Sequence, residues 1–217
     1  MNSYTPDDKI ALKRHLYPQR EKEGRQYFSA FVAALRDARK ATLRDKYGRR
    51  GESAQRHSSW LGAMGYMALL DQIGKCFKPT FKQKEPENNN IRKALKYFSN
   101  LSDDEIDAIY ALRCAFAHDF ALSNIYNDKR NKPHPLTRRF SVVASNGPLV
   151  TPSRKQWEGE FQSDDVEAIT IVNLVALGDV VEEVVAKVRQ LFRLAQLELV
   201  LRDGVNELKR RYALCSW

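Results

Sequence analysis

The stretch DDEIDAIYALRCAFAHDF, residues 103–120, carries two side chains able to do chemistry together. Arg113 and His118 are separated by four residues, and Arg113 is the only charged residue between Ala108 and Ala117. An arginine stays charged at any physiological pH and can grip an anion with two parallel hydrogen bonds. A histidine titrates near neutrality and suits general acid or base work. Around them, Ile106, Ile109 and Tyr110 form one stripe that runs on to Arg113. Ala108, Ala111, Leu112 and Ala115 form a second, continued by His118. A helix apolar on this many sides is buried on most of them, and an arginine there is costly unless it meets an anion or an acid. A plainer role is open to both residues. Arg113 would pair with Asp107 or Glu105, and His118 would be a helix-end histidine favoured by the dipole.

The string Tyr110-Ala-Leu-Arg113-Cys-Ala-Phe-Ala-His118-Asp119 resembles the R-x-x-x-x-H motif of the HEPN superfamily of ribonucleases, in which the motif lies near the end of a helix in an α-helical bundle. The resemblance implies a metal-independent endoribonuclease with Arg113 and His118 as catalytic residues, acting on single-stranded or loop RNA and leaving a 2′,3′-cyclic phosphate. It implies a homodimer, a prokaryotic toxin or antiviral defence role, and an antitoxin or regulatory protein as a further partner. The chemistry is consistent with those residue types. The reaction needs a base for the 2′-OH, an acid for the leaving 5′-oxygen and a cation for the phosphorane charge. Five residues of helix turn through about 500°, leaving Arg113 and His118 about 140° apart. One copy aims both groups at one point only if the helix ends or kinks near His118. Two copies across a two-fold axis would pool both pairs in one cleft.

Further residues follow from that assignment. Lys129, Arg130, Lys132, Arg138 and Arg139 are candidates for gripping RNA phosphates, and Asp119 and Asn124 for orienting His118 or binding RNA. Phe120 stands where one subgroup of the superfamily carries tyrosine, so modification of a tyrosine at that position is excluded. Two alternatives stay open. One is a non-catalytic HEPN-like dimer that binds RNA, a nucleotide or a protein partner. The other is a basic helical interaction protein in which Arg113 and His118 are structural.

Composition bounds these readings. The chain has 217 residues, 43% hydrophobic and 29% charged, so it can bury a core, and its net charge of +9 suits a polyanionic partner. The charge is uneven: residues 1–100 carry a net +11 and residues 101–217 a net −2. Three cysteines, Cys76, Cys114 and Cys215, are too few and too scattered for a disulfide framework or a zinc site. No glycine-rich phosphate loop, G-x-S-x-G elbow or acidic metal cluster occurs, so no cofactor or metal is expected. No apolar run is long enough to span a membrane and the N-terminus has no apolar signal region, which makes a cytoplasmic protein the expectation.

The elements that must position the motif are mostly helical. Thr5-Pro6-Asp7-Asp8 marks a helix start running to about Leu16. Helical periodicity continues over about 19–47, with Arg36, Arg39, Lys40, Arg44 and Lys46 on the polar face, and over 57–77 with Trp60, Met64, Met67, Leu70 and Ile73 inward. A short helix follows over 91–98. Ser102-Asp103-Asp104-Glu105 is a capping box, flanked by Leu101 and Ile106 as a hydrophobic staple, that opens the motif helix. Residues 123–172 break the pattern: a basic loop around 129–135, then strands at 140–145, 149–151 and 169–172 around an Asn146-Gly147 turn. A long helix is expected over 174–201 and a last one over 205–214. The fold expected is one HEPN-like helical domain over 1–217 with a small antiparallel β insertion.

Overall fold

The computed structural model describes residues 4–18, 27–53, 59–84, 87–126, 134–160 and 165–215. Among these, the helices are α1 (Pro6–Leu16), α2 (Ala30–Ala41), α3 (Trp60–Cys76), α4 (Asn90–Phe98), α5 (Asp103–Asp119), α6 (Leu174–Arg193) and α7 (Gly204–Tyr212). The strands are short: β1 (Tyr27–Ser29), β2 (Phe77–Pro79), β3 (Ser123–Asn124), β4 (Arg138–Val143), β5 (Val150–Thr151), β6 (Ile169–Asn173), β7 (Leu197–Leu199) and β8 (Ala213–Cys215). The chain is helix-rich with small sheets, a mixed architecture rather than a purely helical bundle.

Helix α3 is the centre of the core. Tyr66, Leu69, Leu70 and Ile73 are fully buried, and they meet Phe31 and Leu35 of α2, Ile91 and Leu95 of α4, and Leu177, Val181 and Val184 of α6 in one apolar cluster. Gly74 allows the α3–α4 contact. A Cβ at that position would overlap the Asn90 carbonyl and lie 2.9 Å from the Ala94 nitrogen. Two helix starts are locked by reciprocal caps. Thr5 Oγ1 accepts from the Asp8 amide while Asp8 accepts from the Thr5 amide, and Ser102 and Glu105 do the same at α5.

Several expectations are corrected by tertiary pairing. Of the helix expected over 19–47, residues 19–26 lie outside the described residues, and the described part is helical over Ala30–Ala41, where Ser29 caps it and β1 just before it pairs antiparallel with β8. The long C-terminal helix stops at Arg193 rather than near residue 201. Ala195 takes a left-handed φ of 55°, and Leu197–Leu199 pairs antiparallel with Phe77–Pro79. Leu-Glu-Leu suits a helix and a strand alike, so the partner strand decides.

The 123–172 insertion is not simply antiparallel. Its sheet has the order β3-β4-β6-β5, and the central β4–β6 pair is parallel. The Asn146-Gly147 bend does not close a β4–β5 hairpin. Instead the Asn173 side chain donates to the carbonyls of Ser145 (2.8 Å) and Gly147 (3.2 Å), and β6 sits between the two strands. Asn173 also caps α6, accepting from the Val175 amide at 3.1 Å, so one residue joins sheet and helix.

Candidate active site

The motif helix α5 is held at both ends. At its start the capping box is joined by an ion pair in which Arg92 of α4 lies 2.7 Å from Asp107 and 3.2 Å from Glu87. Asp107 is therefore engaged by α4 and is not the partner of Arg113. At its end Phe120 adopts a left-handed conformation (φ 49°, ψ 40°), and the Ala121 amide donates to the Ala115 carbonyl at 3.1 Å. The helix thus terminates one residue beyond His118. His118 and Asp119 are placed by their backbone as the last two residues of α5; their side chains lie outside the described residues.

Arg113 points toward α3. Its Nη2 donates to Asp71 Oδ2 at 2.8 Å, with the two side chains 30% and 27% exposed. Partial burial works against the guanidinium charge, but Asp71, with a smaller contribution from Cys114, outweighs it, so Arg113 is held more firmly protonated than a free arginine. Asp71 is absent from the sequence-based candidates. Its signal was available: it is the only acid in α3, as Arg113 is the only charge in the 108–117 stretch of α5.

The apolar faces of α5 are covered by the chain itself. Ala108, Ile109, Ala111, Leu112, Ala115 and Phe116 are all buried. Phe116 stacks on Trp60 with ring centroids 4.6 Å apart, and Trp60 also contacts Phe120 at 5.0 Å. Exposed apolar residues remain near the end of the motif, Ala117 on α5 and Phe120 (54%) at its cap, and on α3 at Leu61 (71%) and Ala68.

The other candidates separate. Lys129, Arg130 and Lys132 lie outside the described residues. Asn124 is in β3, and its side-chain nitrogen donates to the Leu136 carbonyl at 2.6 Å, closing the base of the loop. Arg138 in β4 donates through Nε to the Pro135 carbonyl at 2.7 Å and lines a cavity of about 200 Å³ with Asp104, Arg154 and Lys155. Burial lowers its pKa, offset in part by Asp107 and Asp104. Arg139, the next residue of the strand, faces the other way. The structure thus brings Arg138 toward the start of α5, not toward Arg113 near its end.

Among the described residues no three His, Cys, Asp or Glu side chains come together as a metal set, and no helix is long and apolar enough to cross a membrane. No family model matches the chain, and neither a curated protein nor a solved structure matches it significantly.

Proposed function

We propose that the chain is a HEPN-like, metal-independent endoribonuclease that works as a homodimer at the C-terminal end of α5. The observation that carries this reading is the setting of Arg113. It is a firmly charged, part-exposed guanidinium, the lone charge of the 108–117 stretch, on a helix that ends one residue past His118 and leaves Ala117 and Phe120 exposed near that end. In the reaction the 2′-oxygen attacks phosphorus as His118 takes its proton. The P–O5′ bond then breaks as the protonated His118 of the other copy gives its proton to the 5′-oxygen, giving a 2′,3′-cyclic phosphate and a 5′-hydroxyl. Arg113 neutralises the charge on the phosphorane oxygens. The exposed end of α5 seats the second copy, and its motif completes the cleft. A toxin or defence effector with a protein regulator is the setting such an enzyme would have.

The Asp71–Arg113 contact favours a second reading, a non-catalytic HEPN-like dimer that binds RNA, a nucleotide or a protein partner while Arg113 braces α5 on α3. One experiment separates the two. Purified wild-type protein and His118→Ala are incubated with a defined RNA in EDTA, and the product ends are analysed. Cyclic-phosphate ends made by the wild type and lost in the variant support the nuclease, and an intact RNA in both leaves the binding role.

A further inference from the structure

Much of the positive charge of the first half of the chain converges on one cleft far from the motif helix in sequence. Helix α2, the segment after it and α6 enclose a space of about 280 Å³. Pro18, Val32 and Leu35 supply apolar walls. Arg36, Arg39 and Lys40 of α2, Arg44 and Lys46 beyond it, and Arg189 of α6 line it, against a single lining acid, Asp45.

The inner side of the cleft is a built ionic network. Arg39 donates to Glu182 through Nε (2.8 Å) and Nη2 (2.6 Å), and the Tyr66 hydroxyl donates to the same carboxylate at 3.0 Å. The buried Arg44 donates to the Gly48 carbonyl (3.0 Å), the Val175 carbonyl (2.8 Å) and Asp179 (2.8 Å). Gly178 leaves room for the Arg44 guanidinium, whose Nη2 a Cβ would approach to 2.7 Å.

The nearby carboxylates among the described residues are thereby engaged. Glu182 serves Arg39, Asp179 is shared by Arg44 and Arg50, and Asp45 is held by Arg49 at 2.9 Å. Arg189 is left without a carboxylate partner among the described residues. Its Nε donates to the Leu16 carbonyl at 2.9 Å, and its guanidinium lies over the Tyr17 ring, 5.1 Å from the centroid. Burial and then the neighbouring Arg39 act against its charge, and Tyr17 and Glu182 offset them in part. Lys40 and Lys46 stand exposed at the mouth. Cations held close together above an apolar wall, with the local acids already committed, attract an anion that carries an apolar body.

We propose that this cleft binds the phosphate of a nucleotide unit, with Lys40, Lys46 and Arg189 on the phosphate and Val32, Leu35 and Pro18 against the base or sugar. The unit is either a free nucleotide or part of an RNA strand. The site is separate from the motif. Tyr66 and Asp71 lie about 140° apart around α3, one facing the Glu182 network and the other holding Arg113. The inference therefore stands whether or not α5 cleaves RNA.

The test is calorimetric titration with pyrophosphate, AMP and a 2′-O-methyl oligonucleotide that cannot be cleaved. Wild type is compared with Lys40→Gln/Lys46→Gln, with a charge-matched control at two exposed lysines elsewhere, Lys9→Gln/Lys209→Gln, and with Arg113→Ala. The cleft variant should bind pyrophosphate and AMP about tenfold more weakly while the lysine control keeps the wild-type affinity. AMP binding that weakens in the cleft variant identifies a free nucleotide as sufficient, and binding of the oligonucleotide alone that weakens in the cleft variant but not in the control identifies strand phosphates; either result supports the site. Absence of binding by every probe at millimolar concentration, equal weakening in both double variants, or loss of AMP binding in Arg113→Ala would overturn it. Coincident thermal melts of all variants establish that the comparison is between folded proteins.

Discussion

Arg113 of α5 and Asp71 of α3 form an ion pair 2.8 Å long, joining the lone charge of one apolar helical stretch to the lone acid of another. Both side chains keep more than a quarter of their surface in solvent. The pair is thus loose enough for Arg113 to exchange Asp71 for a phosphate, which offers two oxygens to the planar guanidinium.

Removing Arg113 should separate activity from stability. A part-exposed pair is worth roughly 1 kcal/mol or less, so Arg113→Ala should shift the urea midpoint only slightly. RNA cleavage should fall by on the order of 10²–10⁴-fold, as should that of His118→Ala. Wild-type cleavage rates in both variants would remove the nuclease assignment from this site.

Cleavage should continue in EDTA, since the proposed acid, base and phosphate grip are all side chains. Activity lost on chelation and restored by added divalent metal would contradict the mechanism.

Dimerisation is best probed at Ala117, which is exposed on the Arg113 side of α5. Ala117→Glu should leave the fold intact, move the protein to the monomer in sedimentation at micromolar concentration, and abolish cleavage. Phe116→Glu is a different experiment: Phe116 is 2% exposed against Trp60, so a charge there should unfold the chain itself. A wild-type monomer that cleaves RNA would refute the composite site.

His15 should make stability fall in mild acid. It is buried among Phe31, Phe77 and Tyr212, and burial lowers its pKa to about 4. The unfolded chain binds the proton near pH 6.5 and the folded chain does not. This contribution is therefore intact above about pH 6.5 and is lost as the pH falls towards 4, by on the order of 3 kcal/mol in full. Urea denaturation at pH 7 and pH 4.5 should show the drop in wild type and a smaller one in His15→Phe.

Gly74→Ala should destabilise the α3–α4 contact by about 1–3 kcal/mol, because the added methyl meets backbone that cannot rotate away. A thermal melt unchanged from wild type would show that the helices separate at little cost.

What the sequence alone determined is local. Thr5 and Ser102 start their helices through contacts three residues long, and the apolar periodicity of α3, α5 and α6 reaches no further than one or two helical turns. Arg113 stood out because no other residue between Ala108 and Ala117 is charged. Tertiary structure alone decided the contacts between distant residues. Asp71 meets Arg113 across 42 positions, Arg39 meets Glu182 across 143, and Asn124 is held by Leu136 rather than turned toward the motif. Likewise β6 slips between β4 and β5, and β2 ends α6 early by claiming Leu197–Leu199. A cap or an amphipathic stripe is recorded in the spacing of residues along one element. The partner of a charge, or the neighbour of a strand, depends on which surfaces the core brings together, and no spacing along the chain records that.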